Sequence, residues 1–222
     1  MIYQPVPNIL KEKDYIIPKL ELYSDESIEV YESEHFFRNA GKNVKYYGLR
    51  ARFNGKWDNY MTYREDHKEG LEVYSFHDLS YGNVIITGLG FGVAENWISR
   101  KANVTSLKVI ELNKSLIDYH KKFTGFNNKV ELIHADATSY TDQCDVLLLD
   151  HYELPKEAVF AKIDEFMSIS ENISCKTVWA WRLENVIPTY EDYKAIRRVW
   201  TKLPDINKEK FELYKRLFRG YY

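Results

Sequence analysis

The sequence has little of what marks a specialised class of protein. Its two cysteines, Cys144 and Cys175, are too few for a disulfide framework and are typical of a reducing compartment. Formal net charge is only −2, so no global field favours nucleic acid or an anionic membrane. No apolar run approaches the roughly 20 residues that a membrane-spanning helix needs. Residues 1–4 are typical of neither a secretory signal nor a transit peptide. We therefore expect a cytoplasmic protein without a membrane partner.

Aromatic residues are abundant, with 18 Tyr, 11 Phe and 5 Trp in 222 residues. Rings in such numbers mostly form core, and a minority is left to line a pocket. The length fits one good-sized domain, or a domain with a small appendage. The C-terminal region is locally basic, but interleaved acids favour a solvated helical face over a nucleic-acid site. Its basic residues include Arg197, Arg198, Lys215, Arg216 and Arg219.

The stretch at 83–92, Asn-Val-Ile-Ile-Thr-Gly-Leu-Gly-Phe-Gly, organises the rest of the chain. Its β-branched run is typical of a strand buried on both faces. Glycines then let the backbone turn sharply and let a ligand lie against it. Helical spacing begins at Val93, so the stretch predicts a strand, a turn and a helix N-terminus that suit a nucleotide-like ligand. A tight turn without a ligand is the alternative. The dinucleotide fingerprint needs glycine where Val93 stands, which makes a dehydrogenase the weakest option. The three glycines are Gly88, Gly90 and Gly92.

Strand and helix patterns alternate after this stretch, which predicts a parallel sheet covered by helices. The most apolar strand, 145–150, is expected at the centre of the sheet. Residues 209–222 fit either a helix or a strand. The other predicted strands are 107–112, 129–134 and 177–181, and the predicted helices are 93–98, 114–123, 157–168 and 190–203.

The region ahead of this core has a β-rich pattern over 27–63. Asn54-Gly55 lies between two aromatic, alternating segments, which is the strongest short signal of a β-hairpin. A helix is predicted over 68–79. We therefore divide the chain into an N-terminal β-rich hairpin region, 1–66, and a Rossmann-like ligand-binding domain, 67–222.

Acidic residues follow the predicted strands, at the edge where open α/β sheets bind ligands. Glu111 ends the second strand and could accept both hydroxyls of a ribose, or be a solvated strand end. Asp136 follows the third and could meet an adenine amino group, or act as a cap or turn residue. Asp150 ends a nearly pure apolar run, and because an acid is costly to bury unpaired, we expect it at the strand mouth. His151 is either a base or a packed surface histidine.

Together these strand ends resemble the core of class I S-adenosylmethionine-dependent methyltransferases over residues 83–181. The resemblance implies a Rossmann-like class I methyltransferase fold with a mostly parallel, doubly wound sheet of seven strands, and no metal. Two departures are Ile86, where many members carry an acid, and the short chain left after Leu203 for the closing strand pair. The implied cofactor-binding residues are Gly88, Gly90, Gly92, Glu111, Leu112, Asp136, Ala137 and Asp150.

Residues that precede this core resemble one particular branch of the same superfamily. Polyamine aminopropyltransferases, spermidine synthase among them, place a β-hairpin and a Tyr-x-Glu segment before this core, as Tyr63 to Glu65 does here. Their D-x-x-D-P motif resembles Asp150 to Pro155, with the proline one place late. Phe91 stands where that branch has an acid in its glycine loop. The resemblance implies catalytic roles for Asp150 and Glu153, and His151 is a further candidate for the catalytic base.

These features favour an S-adenosylmethionine-dependent methyltransferase acting on a small-molecule acceptor. The alternative is an aminopropyltransferase that uses decarboxylated S-adenosylmethionine, with Glu65 and Asp66 among the acids that bind the amine. A non-catalytic binding protein on the same fold is a third option. Nucleic acid is a less favoured partner, and relatives in the spermidine synthase branch often form homodimers.

Overall fold

The computed structural model describes residues 20–37, 42–53, 55–64, 73–151 and 163–219. Nine strands in this part of the chain form two sheets. An antiparallel sheet contains β1 (Tyr23–Ser24), β2 (Ile28–Phe37), β3 (Lys42–Phe53) and β4 (Lys56–Arg64). A parallel sheet contains β5 (Gly82–Thr87), β6 (Val104–Glu111), β7 (Val130–His134), β8 (Asp142–Leu149) and β9 (Ile173–Ala180).

The parallel sheet has the order β7-β6-β5-β8-β9. Numbered one to five along the chain, this is the 3-2-1-4-5 order of a doubly wound fold, so the predicted fold class is confirmed. The prediction that 145–150 forms the centre was wrong, because β5 lies in the middle and β8 lies beside it. Both strands end in residues that are almost fully buried, since each has strands on both sides and helices on its faces.

Helices connect and cover these strands. Helix 93–98 has the predicted bounds, while the predicted helix 190–203 ends early and the one at 157–168 is described only from residue 163 and runs to 172. The helix predicted over 68–79 is described only from residue 74. The helices are α1 (Tyr74–Leu79), α2 (Val93–Ile98), α3 (Lys114–Phe123), α4 (Ile163–Asn172), α5 (Leu183–Val186), α6 (Tyr190–Val199) and α7 (Lys208–Arg219).

The C-terminal segment is helix, which settles the choice between helix and strand. The Tyr214 hydroxyl donates to Asp78 Oδ2 at 2.6 Å, and its ring lies 5.8 Å from that of Trp179. Helix α7 thereby packs against α1 and β9. The resemblance implied seven strands, but among the described residues the parallel sheet has five, and no strand follows β9.

The N-terminal sheet confirms the predicted hairpin, because β3 and β4 pair in antiparallel order from Phe53 and Lys56 onward. Its register shifts by one residue, because Leu49 pairs with Met61 whereas Arg50 pairs with Asn59. The extra residue is a β-bulge, and it reverses which face the following side chains occupy. Met61 therefore faces the parallel-sheet domain, while Asn59 and Trp57 lie on the outer face.

None of the helices in the described ranges is both long and apolar enough to cross a membrane. The boundary proposed between 1–66 and 67–222 stays a prediction.

Candidate active site

The glycine turn follows β5 at the carboxyl edge of the parallel sheet. Gly88, Gly90 and Gly92 have φ values of 85°, 47° and 72°, a region that side chains with a Cβ rarely adopt. Gly88 also lies against the backbone carbonyl of Asp150, so a Cβ there would collide with the main chain. The turn therefore needs glycine for both its conformation and its close contact with the end of β8.

The amide groups of this turn are largely used within the protein. Gly88 N–H donates to the Ile110 carbonyl at 2.8 Å, and Gly92 N–H to the Leu89 carbonyl at 2.8 Å. Leu89 N–H donates to Glu111 Oε2 at 3.0 Å. Phe91 N–H points at the sulfur of Met61, 3.3 Å away. Because these donors have partners, the turn is not an open cradle for a phosphate, which argues against a dinucleotide.

Glu111 joins the turn to the end of β6. Its Oε1 accepts the N–H of Asn113 at 2.6 Å, while its other oxygen accepts that of Leu89. The side chain is only 2% exposed. Burial raises the pKa of Glu111, and the hydrogen bonds from Asn113 and Leu89 oppose that shift. The backbone N–H of Leu112 also hydrogen-bonds this carboxylate and lowers its pKa, and since a carboxylate has about four lone-pair sites, some acceptor capacity is left.

Leu112 and Asp136, both predicted to bind the cofactor, follow the ends of β6 and β7. Leu112 is 63% exposed, which is unusual for a leucine at a strand end and offers an apolar surface to a ligand. Asp136 is exposed, and its Oδ1 accepts the hydroxyl and the N–H of Thr138 at 2.7 and 2.9 Å. The hydrogen bond from the Thr138 hydroxyl lowers the pKa of Asp136. Asp136 thus occupies the turn role foreseen as its alternative, and Ala137 beside it is buried.

Asp150 and His151 follow β8, next to the glycine turn. Asp150 N–H donates to the Thr87 carbonyl at 2.9 Å, which fixes the end of β8 against β5. His151 Nδ1 lies 2.6 Å from the Thr87 hydroxyl, and its Nε2 lies 3.2 Å from Glu165 Oε1. This geometry fits a ring that donates from Nε2 to Glu165 and accepts at Nδ1 from Thr87. Both ring nitrogens therefore have protein partners.

Two neighbours of the turn were not predicted as site residues. His120 of α3 lies beneath it, with Nε2 2.8 Å from the Gly90 carbonyl, and burial lowers the pKa of His120 to about 4. Glu95 of α2 is 2% exposed. Burial raises the pKa of Glu95 well above its ordinary value, and the charges of Asp150 and Glu111 add to the effect. For Glu95, the one signal available in the sequence was its position in the first helical turn after Gly92.

The end of β9 adds an unusual backbone. Arg182 has φ of 61°, the one positive value on a non-glycine residue in the described ranges. Its guanidinium lies 4.2 Å from the centre of the Trp181 ring, and Trp181 N–H donates to the Leu149 carbonyl at 2.9 Å. These residues therefore stand beside the end of β8. Burial raises the pKa of nearby Glu184 to about 7. No sequence pattern predicted this backbone conformation.

Three residues predicted for amine chemistry lie outside the described residues: Glu153, Glu65 and Asp66. Within the described part of the chain, no group of three or more His, Cys, Asp or Glu side chains could hold a metal ion. The roles assigned to the individual site residues stay predictions.

Solved structures with a similar fold include spermidine synthases and a methyltransferase. Spermidine synthase from Thermotoga maritima is 14% identical over 67% of this chain and 57% of that chain, with a TM-score of 0.41. A proposed RNA methyltransferase from Pyrococcus horikoshii is 17% identical over 60% of this chain and 64% of that chain, also with a TM-score of 0.41. A spermidine synthase in complex with the transition-state analogue AdoDATO is 14% identical over 67% and 56% of the two chains, with a TM-score of 0.40.

This chain spans less than two thirds of the length of each of these proteins. No protein-family model matches the chain, and no curated protein does. At such identities and TM-scores the likeness transfers no activity, so the function has to be inferred from the site itself.

Proposed function

We propose that this protein is an S-adenosylmethionine-dependent transferase, and that it most simply transfers a methyl group to a small-molecule acceptor. The observation that carries the proposal is Glu111, whose carboxylate lies between the glycine turn and the exposed Leu112. A buried acid beside an exposed apolar side chain, at the carboxyl edge of a doubly wound sheet, suits the sugar and base of an adenosyl group.

The charge around the turn also favours such a donor. The carboxyl groups of Glu111 and Asp150 lie near that of Glu95 and help to raise its pKa. A sulfonium is a cation, so the ionised carboxylates in this group attract it. The turn amides, by contrast, are mostly satisfied within the protein, so a phosphate finds few donors there. A sulfonium nucleoside therefore fits these residues better than a dinucleotide does.

When bound, S-adenosylmethionine supplies an activated methyl group. The protein then contributes chiefly proximity and orientation, which can be worth roughly 7–11 kcal/mol. Asp150 is the base we assign for an acceptor that carries a proton, since it follows β8 next to the turn. We assign His151 a positioning role, because Thr87 and Glu165 already occupy its two nitrogens.

Calorimetric titration with S-adenosylmethionine and S-adenosylhomocysteine tests this proposal. We expect both to bind the intact chain, and we expect Glu111→Gln to weaken both at least roughly tenfold through lost charge-assisted hydrogen bonds. Glu131→Gln is the matched control, because Glu131 is an exposed glutamate on the neighbouring strand β7. Absence of binding at millimolar ligand would refute the proposal.

The contact between Met61 and the turn favours a second candidate, aminopropyl transfer. S-Adenosylmethionine carries a carboxylate that needs hydrogen-bond donors, but a thioether already covers the N–H of Phe91. Met61 also lies directly over Gly90, where a Cβ would stand 2.7 Å from its sulfur. Decarboxylated S-adenosylmethionine makes no such demand, so this turn suits it well.

The two donors can be separated in one comparison. Aminopropyl transfer requires tighter binding of the decarboxylated donor and consumption of putrescine or spermidine. In that case Asp150→Asn should abolish turnover and leave donor binding intact. Methyl transfer requires product formation from S-adenosylmethionine instead. Donor binding without transfer to any acceptor tested would favour the non-catalytic alternative.

A further inference from the structure

The outer face of the N-terminal sheet carries a cluster of rings and a guanidinium that the donor site does not use. We call it the outer platform and define it by Tyr31 of β2, Tyr46 and Arg50 of β3, and Trp57 of β4. The inner face of the same sheet is occupied by buried side chains such as Val30 and Leu49, so the two faces differ sharply. The bulge in β4 is what brings Trp57 to the outer face.

The rings of the platform lie across neighbouring strands. The Arg50 guanidinium is 5.7 Å from the ring centre of Tyr31 and 5.2 Å from that of Trp57, so it lies between the two. Tyr46 meets Tyr31 edge-on, with 6.5 Å between ring centres. Because Gly48 has no side chain, the Tyr31 ring can lie close over the strand at that position. The result is a row of π-surfaces on a rigid sheet.

These side chains remain accessible. Trp57 is 37% exposed, and the side chain of Arg50 is 41% exposed although it pairs with Glu29. Arg52, which pairs with Trp57 in the register, is exposed as well. Glu29 is the one acid among the described side chains of this face. The face is thus aromatic and slightly cationic, whereas the chain as a whole has a net charge of −2.

Cross-strand aromatic pairs can simply stabilise a sheet, but a buried face would serve that purpose without exposing an indole. Exposed rings on an antiparallel sheet, with guanidinium groups between them, suit unpaired bases that stack and phosphates that need positive charge. We propose that the outer platform binds single-stranded RNA by stacking bases on Tyr31 and Trp57. Neutral donors and acceptors nearby, such as Asn59 and Thr62, are placed to meet ribose hydroxyls.

The inference goes beyond the transferase assignment and does not depend on it, because the platform lies on the opposite side of the sheet from Met61. Binding of RNA needs no donor, so failure of either idea can be seen without the other.

Fluorescence anisotropy with a labelled single-stranded RNA of about 12 nucleotides tests the proposal on the full chain. We expect micromolar binding that weakens as salt rises. Trp57→Ala and Arg50→Ala should each weaken it roughly tenfold or more, since stacking contributes strongly per base. Phe36→Ala is the control, because Phe36 is 57% exposed on the same sheet but belongs to its other face.

Several outcomes would overturn the proposal. These are no binding of single-stranded RNA, equal binding of a duplex of the same sequence, or variants that bind like the parent. Circular dichroism and thermal melting establish that each variant is folded, and Tyr31→Leu provides a second platform variant should Trp57→Ala unfold the hairpin. A stable dimer in sedimentation that Trp57→Ala dissociates would assign the face to a second copy of the chain instead.

Discussion

The carboxyl edge of the parallel sheet has two halves that are built differently. At the ends of β5 and β6, the carboxylate of Glu111 and the turn amides satisfy one another, and His120 supports the turn from below. At the ends of β8 and β9, Arg182 has a strained backbone with a positive φ, and burial raises the pKa of Glu184 to about 7. The first half is held by hydrogen bonds among its own groups, while the second contains the one positive φ on a non-glycine residue in the described ranges and an acid with a raised pKa.

This difference matters for catalysis. A donor site benefits from groups that are already in place, because binding then requires little ordering. Strained backbones and shifted pKa values are concentrated at functional sites more often than elsewhere, and each half contains groups with shifted pKa values. Substitutions at the ends of β5 and β6 should therefore change donor affinity, whereas substitutions at the ends of β8 and β9 should leave it unchanged.

The largest effect is expected for Gly88→Ala. A left-handed φ costs about 1–2 kcal/mol for alanine, and the clash with the Asp150 carbonyl adds roughly 1–3 kcal/mol. Urea unfolding should show the sum. Gly125→Ala is the control, since Gly125 has φ of 63° but nothing within 4 Å of an added Cβ. Equal losses in the two variants would mean that the close contact with β8 contributes nothing.

Glu184→Gln should change the pH dependence of stability. The folded-state pKa of Glu184 is raised to about 7 from an ordinary 4.5, so ionisation opposes folding. The full stability is present below pH 4.5 and is lost as pH rises towards 7, by up to about 3 kcal/mol. The variant lacks this loss, so the stability of the parent relative to the variant should fall over that window. A difference that is constant with pH would contradict the prediction, and donor affinity should be unchanged.

His120→Asn tests the ends of β5 and β6, and its effect on stability should depend on pH in the opposite direction to that of Glu184→Gln. Burial lowers the pKa of His120 to about 4 from 6.5, so the unfolded chain binds a proton more readily. Stability is complete above pH 6.5 and is lost as pH falls towards 4, by about 2–3 kcal/mol. Chemical unfolding of parent and variant across this range isolates the effect. We also expect weaker donor binding, because the Gly90 carbonyl loses its support; unchanged affinity would argue against a preformed turn.

The smallest effect is expected for Thr87→Val. The change removes the hydroxyl that holds His151 Nδ1 and accepts the Asp150 N–H at 3.2 Å. An unpaired ring nitrogen should cost about 1–2 kcal/mol in unfolding free energy. The ¹⁵N chemical shifts of the His151 ring should change in the variant, because they report the hydrogen bonding of each ring nitrogen. If these shifts are the same in both proteins, the hydrogen bond to Thr87 does not position the ring.

Much of the parallel domain could be predicted from the sequence, because its signals are local. The apolar run at 84–86 and the glycines after it give a buried strand and a turn, and the Asn-Gly pair gives the hairpin. Element ends were less reliable: the helix from Tyr190 ends at Val199 rather than 203. The position of 145–150 in the sheet was predicted wrongly, since a central strand and the strand next to it are both buried and have similar apolar sequences.

The roles of side chains at the site depended on contacts that no local pattern contains. In the sequence, His120 is an ordinary helix residue and Met61 is one residue of a hairpin. Each meets the glycine turn from a distant part of the chain, 30 residues away. Asp136 was seen as a ligand-binding acid or a turn residue, and the structure shows the turn contact.

The sequence by itself determined the local conformations: which segments are strands, where glycine allows a left-handed turn, and which acids stand at strand ends. Those features depend on the residue and its near neighbours, so they can be recognised along the chain. Only the tertiary structure decided which groups satisfy the turn amides, which acids have raised pKa values, and which rings of the N-terminal sheet face outward. These depend on burial and on partners distant in sequence, and a one-residue bulge in β4 is enough to reverse a face.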